Sequence, residues 1–288
     1  MSTERPALLI VGHGSRSAEG VAEYWRLAAV VRAQAPELAV GCGFIELARP
    51  DLDTAIDALV SDGATSVVAG PLILLGAGHL KNDGPAALHR GRHRHPGVSF
   101  SYARDLGIHP LLLAVAEDRI RAAVGADDPA RTAVVLVGRG SSDPDANADL
   151  YKVARLLWDS RGLGIVEPAF VSLARPDVGG ALDRCRLLGA TRIAVVPYFL
   201  FTGVLVDRIR AQTTAWADAH PALDVRHGPH LGVDARVAAL VLERYREAQG
   251  GDARMNCDLC VYRTAIPGYE HRVGAPAGAG HHDHHGGG

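Results

Sequence analysis

Cysteine is scarce in this chain, with four in 288 residues. That is too few for the disulfide framework that staples small secreted domains. No apolar run approaches the ~20 residues a membrane span needs. The opening Met1-Ser2-Thr3-Glu4-Arg5-Pro6 lacks the charged and apolar regions of a secretory signal. Net charge is only −2, so no global field of either sign recruits nucleic acid or a membrane surface. Neither Gly-x-Gly-x-x-Gly nor Gly-x-x-x-x-Gly-Lys-Ser/Thr occurs, which argues against a nucleotide-binding glycine loop. These absences point to a cytoplasmic protein whose partner is neither nucleic acid nor membrane.

What is present is apolar and regular. Hydrophobic residues make up 48% of the chain, enough for sizeable cores, and 288 residues suit two domains at roughly 100–200 residues each. The organising stretch is the apolar run Leu8-Leu9-Ile10-Val11, which stops at Gly12-His13-Gly14-Ser15-Arg16. It reads as a buried parallel strand with a histidine at its carboxyl end, where open α/β sheets bind ligands. The alternative reading is a phosphate-cradling loop or a simple tight turn. Further strands are expected at Val40–Ile45, Ser66–Leu72 and Val98–Ala103, and helices at Ala18–Gln34, Asp51–Asp62 and Pro110–Val124. Asp51 is placed to cap a helix and Gly63 to end it. The basic stretch Lys81–Pro96 (His89, Arg90, Arg92, His93, Arg94, His95) reads as a solvated loop.

The pattern then repeats at an offset of 126 residues. Thr132–Gly138 is a second apolar strand, followed by Gly138-Arg139-Gly140-Ser141-Ser142. Phe44-Ile45-Glu46-Leu47-Ala48-Arg49-Pro50-Asp51 faces Phe170-Val171-Ser172-Leu173-Ala174-Arg175-Pro176-Asp177. The period is too long for a solenoid and implies two related domains. The expected architecture is therefore α/β: two tandem duplicated Rossmann-like parallel-sheet domains at 1–126 and 127–248, a cleft between them, and a flexible tail at 249–288.

The duplication supplies an internal comparison. Shared residues such as Leu-Ala-Arg-Pro-Asp are explained by fold, and the informative positions are those that diverge. His13 becomes Arg139, Glu46 becomes Ser172 and His79 becomes Leu205. All three metal-competent residues lie in the first half, at or just past strand ends that share one sheet edge. Two imidazoles and a carboxylate suit a borderline divalent ion such as Co²⁺, Fe²⁺, Ni²⁺ or Zn²⁺.

With these residues in place, the chain resembles the sirohydrochlorin chelatases of the class II chelatase superfamily. The resemblance rests on Gly12-His13-Gly14-Ser15-Arg16, on Phe44–Pro50, and on Pro71-Leu72-Ile73-Leu74-Leu75-Gly76-Ala77-Gly78-His79-Leu80-Lys81-Asn82-Asp83. It spans about residues 6–248 in the long, two-domain form and is similar to the cobaltochelatase branch of B12 synthesis. It implies insertion of a divalent metal, cobalt first, into the tetrapyrrole sirohydrochlorin, in a cleft between the domains. His13 and His79 take the paired-histidine positions and Glu46 the carboxylate position, as metal ligands and catalytic groups. The second half cannot rebuild that set, so one site per chain is expected. A carboxylate-rimmed substrate needs local positive charge, for which Arg16, Arg49, Lys81, Arg139 and Arg175 are the candidates. Arg49 and Arg175 are equally explained by a shared fold role.

Two other readings stand beside this one. One is a ferrochelatase for siroheme, since the ligand set does not separate Fe²⁺ from Co²⁺. The other is metal storage or delivery without turnover. The latter draws on His281, His282, His284 and His285 in the last eight residues, a candidate cobalt or nickel reservoir. Cys257 and Cys260 form a Cys-x-x-Cys pair that the resemblance associates with an iron–sulfur cluster. Two chains could each supply a pair, so both a monomer and a dimer bridged through the tail are open. Cys42 opens an expected strand segment and Cys185 lies on an expected helix, so neither is a ready third ligand.

Overall fold

The computed structural model describes residues 6–253, 262, 265, 268 and 270–274, excepting the side chains of His79 and Ser160. The first half runs β1 (Pro6–Gly12), α1 (Ala18–Gln34), β2 (Ala39–Phe44), α2 (Leu52–Ser61), β3 (Ser66–Pro71), a π-helical turn (His79–Asp83), α3 (Gly84–Arg94), β4 (Ser99–Tyr102) and α4 (Pro110–Val124). The second runs β5 (Ala133–Gly138), α5 (Pro144–Ser160), β6 (Val166–Phe170), α6 (Val178–Leu187), β7 (Arg192–Pro197), α7 (Val204–Asp218), β8 (Asp224–His227) and α8 (Ala235–Gln249). Each half builds a four-stranded parallel sheet, ordered β2-β1-β3-β4 and β6-β5-β7-β8. The expected duplicated α/β architecture is what the chain forms.

Parity along β1 divides the core. Leu8 and Ile10 face a large apolar cluster that continues into Val134 and Leu136 of the second half. Ala7, Leu9 and Val11 face a smaller cluster under α2 and α3, as expected of a parallel strand buried on both faces. Asp51 caps α2 by accepting the Thr54 N–H at 2.9 Å, and Gly63 follows its end with φ of 93°.

The halves exchange helices. α4 packs on β7 and α8 packs on β3 and α1. Each exchanged helix inserts an arginine into the loop beyond the other half's edge strand. Arg119 of α4 donates to the Leu231 carbonyl at 2.7 and 2.9 Å. Arg244 of α8, 2% exposed, donates to the carbonyls of Asp105 and Leu106 at 3.1 and 2.8 Å. The two halves are thus joined by hydrogen-bonded charge, buried at Arg244 and partly exposed at Arg119, as well as by a shared core.

The stretch expected as a solvated basic loop is helical instead. Gly84, Ala87, Leu88 and Gly91 of α3 form a buried stripe at helical spacing. Its small residues gave that stripe little apolar signal. The basic side chains are paired: Arg90 and Arg94 with Asp53, and Arg94 and His95 with Asp57, both acids on α2. Among the described residues, no helix is long and apolar enough to cross a membrane.

Candidate active site

The β1–β2 ladder runs on past both strands. Ile45 N–H donates to the Gly12 carbonyl at 2.8 Å and Glu46 N–H to the His13 carbonyl at 3.1 Å. Gly14, with φ of 96°, closes this frame. A Cβ there would lie 1.7 Å from the Glu46 carbonyl oxygen, so only glycine lets the neighbouring loop seat. The second glycine of Gly-His-Gly is therefore explained by this close approach; at Gly12 a Cβ would instead meet the Tyr24 ring at 2.7 Å. The result brings His13 Nε2 to 3.5 Å from Glu46 Oε1, with about a third of each side chain exposed.

The second half repeats the frame with different chemistry. Val171 and Ser172 donate to the carbonyls of Gly138 and Arg139 at 3.0 and 3.1 Å. A Cβ on Gly140 would lie 1.9 Å from the Ser172 carbonyl oxygen. Where the first half holds a histidine and a carboxylate, this one holds an exposed guanidinium and a hydroxyl, the latter donating to the Arg139 carbonyl at 3.0 Å.

Both loops open on one cavity of about 710 Å³ between the halves, a size suited to a single organic ligand. His13, Arg16 and Asp83 line it from the first half and Arg139 from the second; its walls are largely aliphatic and aromatic. Glu46 stands just outside the lining, next to Leu47, which is in it. The π-helical turn borders the cavity through Leu80, Asn82 and Asp83. His79 is the first residue of that turn, and its side chain lies outside the described ones. Leu205, its counterpart, lines the opposite half's wall. Among the described residues no group of three potential ligands converges; the pair His13–Glu46 does.

Of the five cationic residues expected to face the substrate, Arg16 and Arg139 line the cavity and Lys81, Arg49 and Arg175 do not. Lys81 is largely buried and turned to the second half, with Nζ 2.6 Å from Asp143 Oδ2 and 3.5 Å from Asp145 Oδ2. Arg49 and Arg175 are each paired with the aspartate two residues on, Asp51 and Asp177, at the surface. Cys257, Cys260, His281, His282, His284 and His285 lie outside the described residues. Cys42 and Cys185 are buried in β2 and α6. Tyr262 is described: its hydroxyl accepts from Asn82 Nδ2 at 2.9 Å, which brings this point of the tail to the turn that begins with His79.

Residues that the motifs did not single out also shape the site. Thr202 N–H and His230 meet the Glu23 carboxylate at 2.6 and 3.1 Å, tying the halves beside the cavity. At the equivalent place in the duplicated frame stand two acids, Asp105 and Asp149. Burial, and then the Asp149 charge, push the Asp105 carboxyl up to about 6. Tyr198 is among the cavity-lining residues; its buried hydroxyl has no hydrogen-bond partner among the described residues, and burial and these two acids raise its pKa.

The family model described as CbiX matches this chain twice, over residues 7–123 and 133–248, once for each half of the repeat. The chain belongs to the CbiX family. It is 37% identical over 262 residues to the sirohydrochlorin cobaltochelatase of Priestia megaterium, covering 90% of this chain and 85% of that one. It is 30% identical over 262 residues to the sirohydrochlorin ferrochelatase of Bacillus subtilis, covering 91% and 99%. Among solved structures, SirB from Bacillus subtilis with Fe³⁺ superimposes with a TM-score of 0.76 at 31% identity, covering 88% of this chain and all of SirB. SirB from Bacillus subtilis subspecies spizizenii in complex with cobalt does so at 0.72, also 31% identical, over 87% and 98%. The CbiX fold and the cavity between its two halves are thus the setting of the His13–Glu46 pair.

Proposed function

We propose that this chain inserts a divalent metal ion, Co²⁺ first, into sirohydrochlorin, at one site per chain built on the ligand-bearing half, taken along the chain as 1–126 with its partner half at 127–248. The observation that carries this reading is the asymmetry within a shared frame. His13, in the cavity wall, meets Glu46 just behind it at 3.5 Å, and the same frame on the other side sets Arg139 in the wall with Ser172 behind it. A duplicated frame that keeps its hydrogen bonds and glycine seat while its donor chemistry diverges suits a reaction with two unlike partners.

The metal is a substrate here. It has to shed water, be held by few ligands and leave; His13 and Glu46, with His79 at the start of the π-helical turn, supply a small donor set with an open side. Insertion replaces two pyrrole N–H protons by the metal ion and releases both. Imidazole or carboxylate at the ligand pair accepts them. Arg139 and Arg16 pair with substrate carboxylates, and the apolar walls take the ring. Iron is the second reading, supported by the ferrochelatase relatives; the higher identity to the cobalt enzyme favours cobalt. A cluster at Cys257 and Cys260 rests on resemblance alone, and iron and sulfide analysis of anaerobically purified protein tests it.

Absorbance spectra of sirohydrochlorin incubated with the protein and Co²⁺, Fe²⁺ or Ni²⁺ in parallel test the reading. Catalysed change fastest with cobalt is expected. Metal uptake with no change in the tetrapyrrole spectrum would leave a storage protein instead.

A further inference from the structure

Two leucines occupy places that folding alone does not explain. Leu47 is 49% exposed and Leu173 72% exposed, and both line the cavity. Each also has a positive φ, 62° and 63°, in a region that a leucine enters rarely and at a cost. Each is the middle residue of a three-residue turn. Ala48 N–H donates to the Glu46 carbonyl at 2.8 Å, and Ala174 N–H to the Ser172 carbonyl at 2.7 Å. The γ-turn with a positive central φ is its rare and strained form. Glycine would hold such a turn without strain. The chain instead places leucine there twice, although the residue just before it has diverged from Glu46 to Ser172. Exposure of a large apolar side chain and backbone strain are both unfavourable to the isolated fold, and strain of this kind collects at ligand clamps.

We infer that Leu47 and Leu173 are paired apolar grips, one from each half, that close on the flat conjugated face of the macrocycle and hold it in the cavity. The inference rests on the proposed tetrapyrrole substrate and adds residues that neither donate to the metal nor pair with carboxylates. Seating the turns on Gly14 and Gly140 fixes where the two side chains stand. The strained turn is what turns a leucine out of the loop and into the cavity, so the fold gives up some stability to present it. Leu173 is the cleaner probe, because it lies in the half without proposed ligands and has most of its side chain left to bury on binding.

The test is titration of the full chain with metal-free sirohydrochlorin, read by protein fluorescence quenching, on the parent, Leu173→Gly and Leu173→Met. Burying most of a leucine side chain is worth roughly tenfold or more in affinity. Leu173→Gly is expected to weaken tetrapyrrole binding by about that factor and to leave the Co²⁺ affinity of the tetrapyrrole-free protein unchanged. Because glycine relieves the strain, its Tm is expected to be equal to the parent's or higher. Leu173→Met is expected to restore most of the affinity. A clear fall in Tm or failure to fold for Leu173→Gly, or a tetrapyrrole affinity equal to the parent's, overturns the inference. A parent that does not bind sirohydrochlorin at all overturns the proposed function itself.

Discussion

Replacing Gly14 by alanine is a strong perturbation whose effect the duplicated frame allows to be controlled. The new methyl carbon would lie 1.7 Å from the Glu46 carbonyl oxygen, at a backbone φ of 96°. Holding alanine at positive φ costs about 1–2 kcal/mol. Relieving the clash pushes the Glu46–Ala48 turn away by on the order of 1 Å and weakens the bonds from Ile45 and Glu46 to β1, each worth about 0.5–1.5 kcal/mol. The sum is a loss of about 2–5 kcal/mol if both bonds are lost. Gly140→Ala meets the Ser172 carbonyl at 1.9 Å with φ of 84° and should cost a similar amount. Urea unfolding of both variants measures this. Their chemistry should differ, because only the first displaces Glu46 from His13. A Co²⁺ titration of the tetrapyrrole-free protein is expected to show affinity down at least tenfold in Gly14→Ala and near the parent's in Gly140→Ala. Equal cobalt affinity in all three proteins, or a stability loss under about 1 kcal/mol in both variants, would refute the reasoning.

Three further outcomes are expected. Lys81→Met leaves Asp143 and Asp145, 3% and 6% exposed, without their shared cation, and should cost about 3–5 kcal/mol in urea unfolding. Asp105 titrates at about 6 when folded, above its ordinary range, so its stabilising contribution is complete below pH 4 and is lost as pH rises through about 6. The parent should therefore lose about 2–3 kcal/mol more than Asp105→Asn between pH 4 and pH 7, by urea unfolding at each pH. Truncation after Gly280 should raise the cobalt concentration for half-maximal rate and leave the saturated rate alone; an unchanged metal dependence removes the reservoir reading.

The α/β sheets were legible because their strands are apolar runs ending in glycine turns, and the duplication was legible because Phe44–Asp51 and Phe170–Asp177 keep one register. The convergence of His13 with Glu46 followed from both sitting at strand ends of one sheet. Helix exchange was not legible: α4 and α8 carry ordinary amphipathic patterns, and nothing in such a pattern says which of two similar sheets it covers. α3 was hidden because alanine and glycine make all of its buried stripe but Leu88, and its exposed face is crowded with arginine and histidine. Lys81 read as a substrate cation because its partners, Asp143 and Asp145, are far away in sequence. Leu47 and Leu173 were passed over for a related reason. Identity between the halves signalled a shared structural role, and their exposure is visible only once the loops are folded around Gly14 and Gly140.

The most direct test of one metal site in one half is a paired measurement on His13→Ala and Arg139→Ala, which change equivalent positions of the repeat. Initial rates of cobalt insertion into sirohydrochlorin should be set beside the dissociation constants for Co²⁺ and for the tetrapyrrole. The account predicts that His13→Ala loses insertion and cobalt affinity but still binds sirohydrochlorin, and that Arg139→Ala binds cobalt as the parent does but binds sirohydrochlorin more weakly. Insertion at the parent rate in His13→Ala, or loss of cobalt affinity in Arg139→Ala alone, would contradict it.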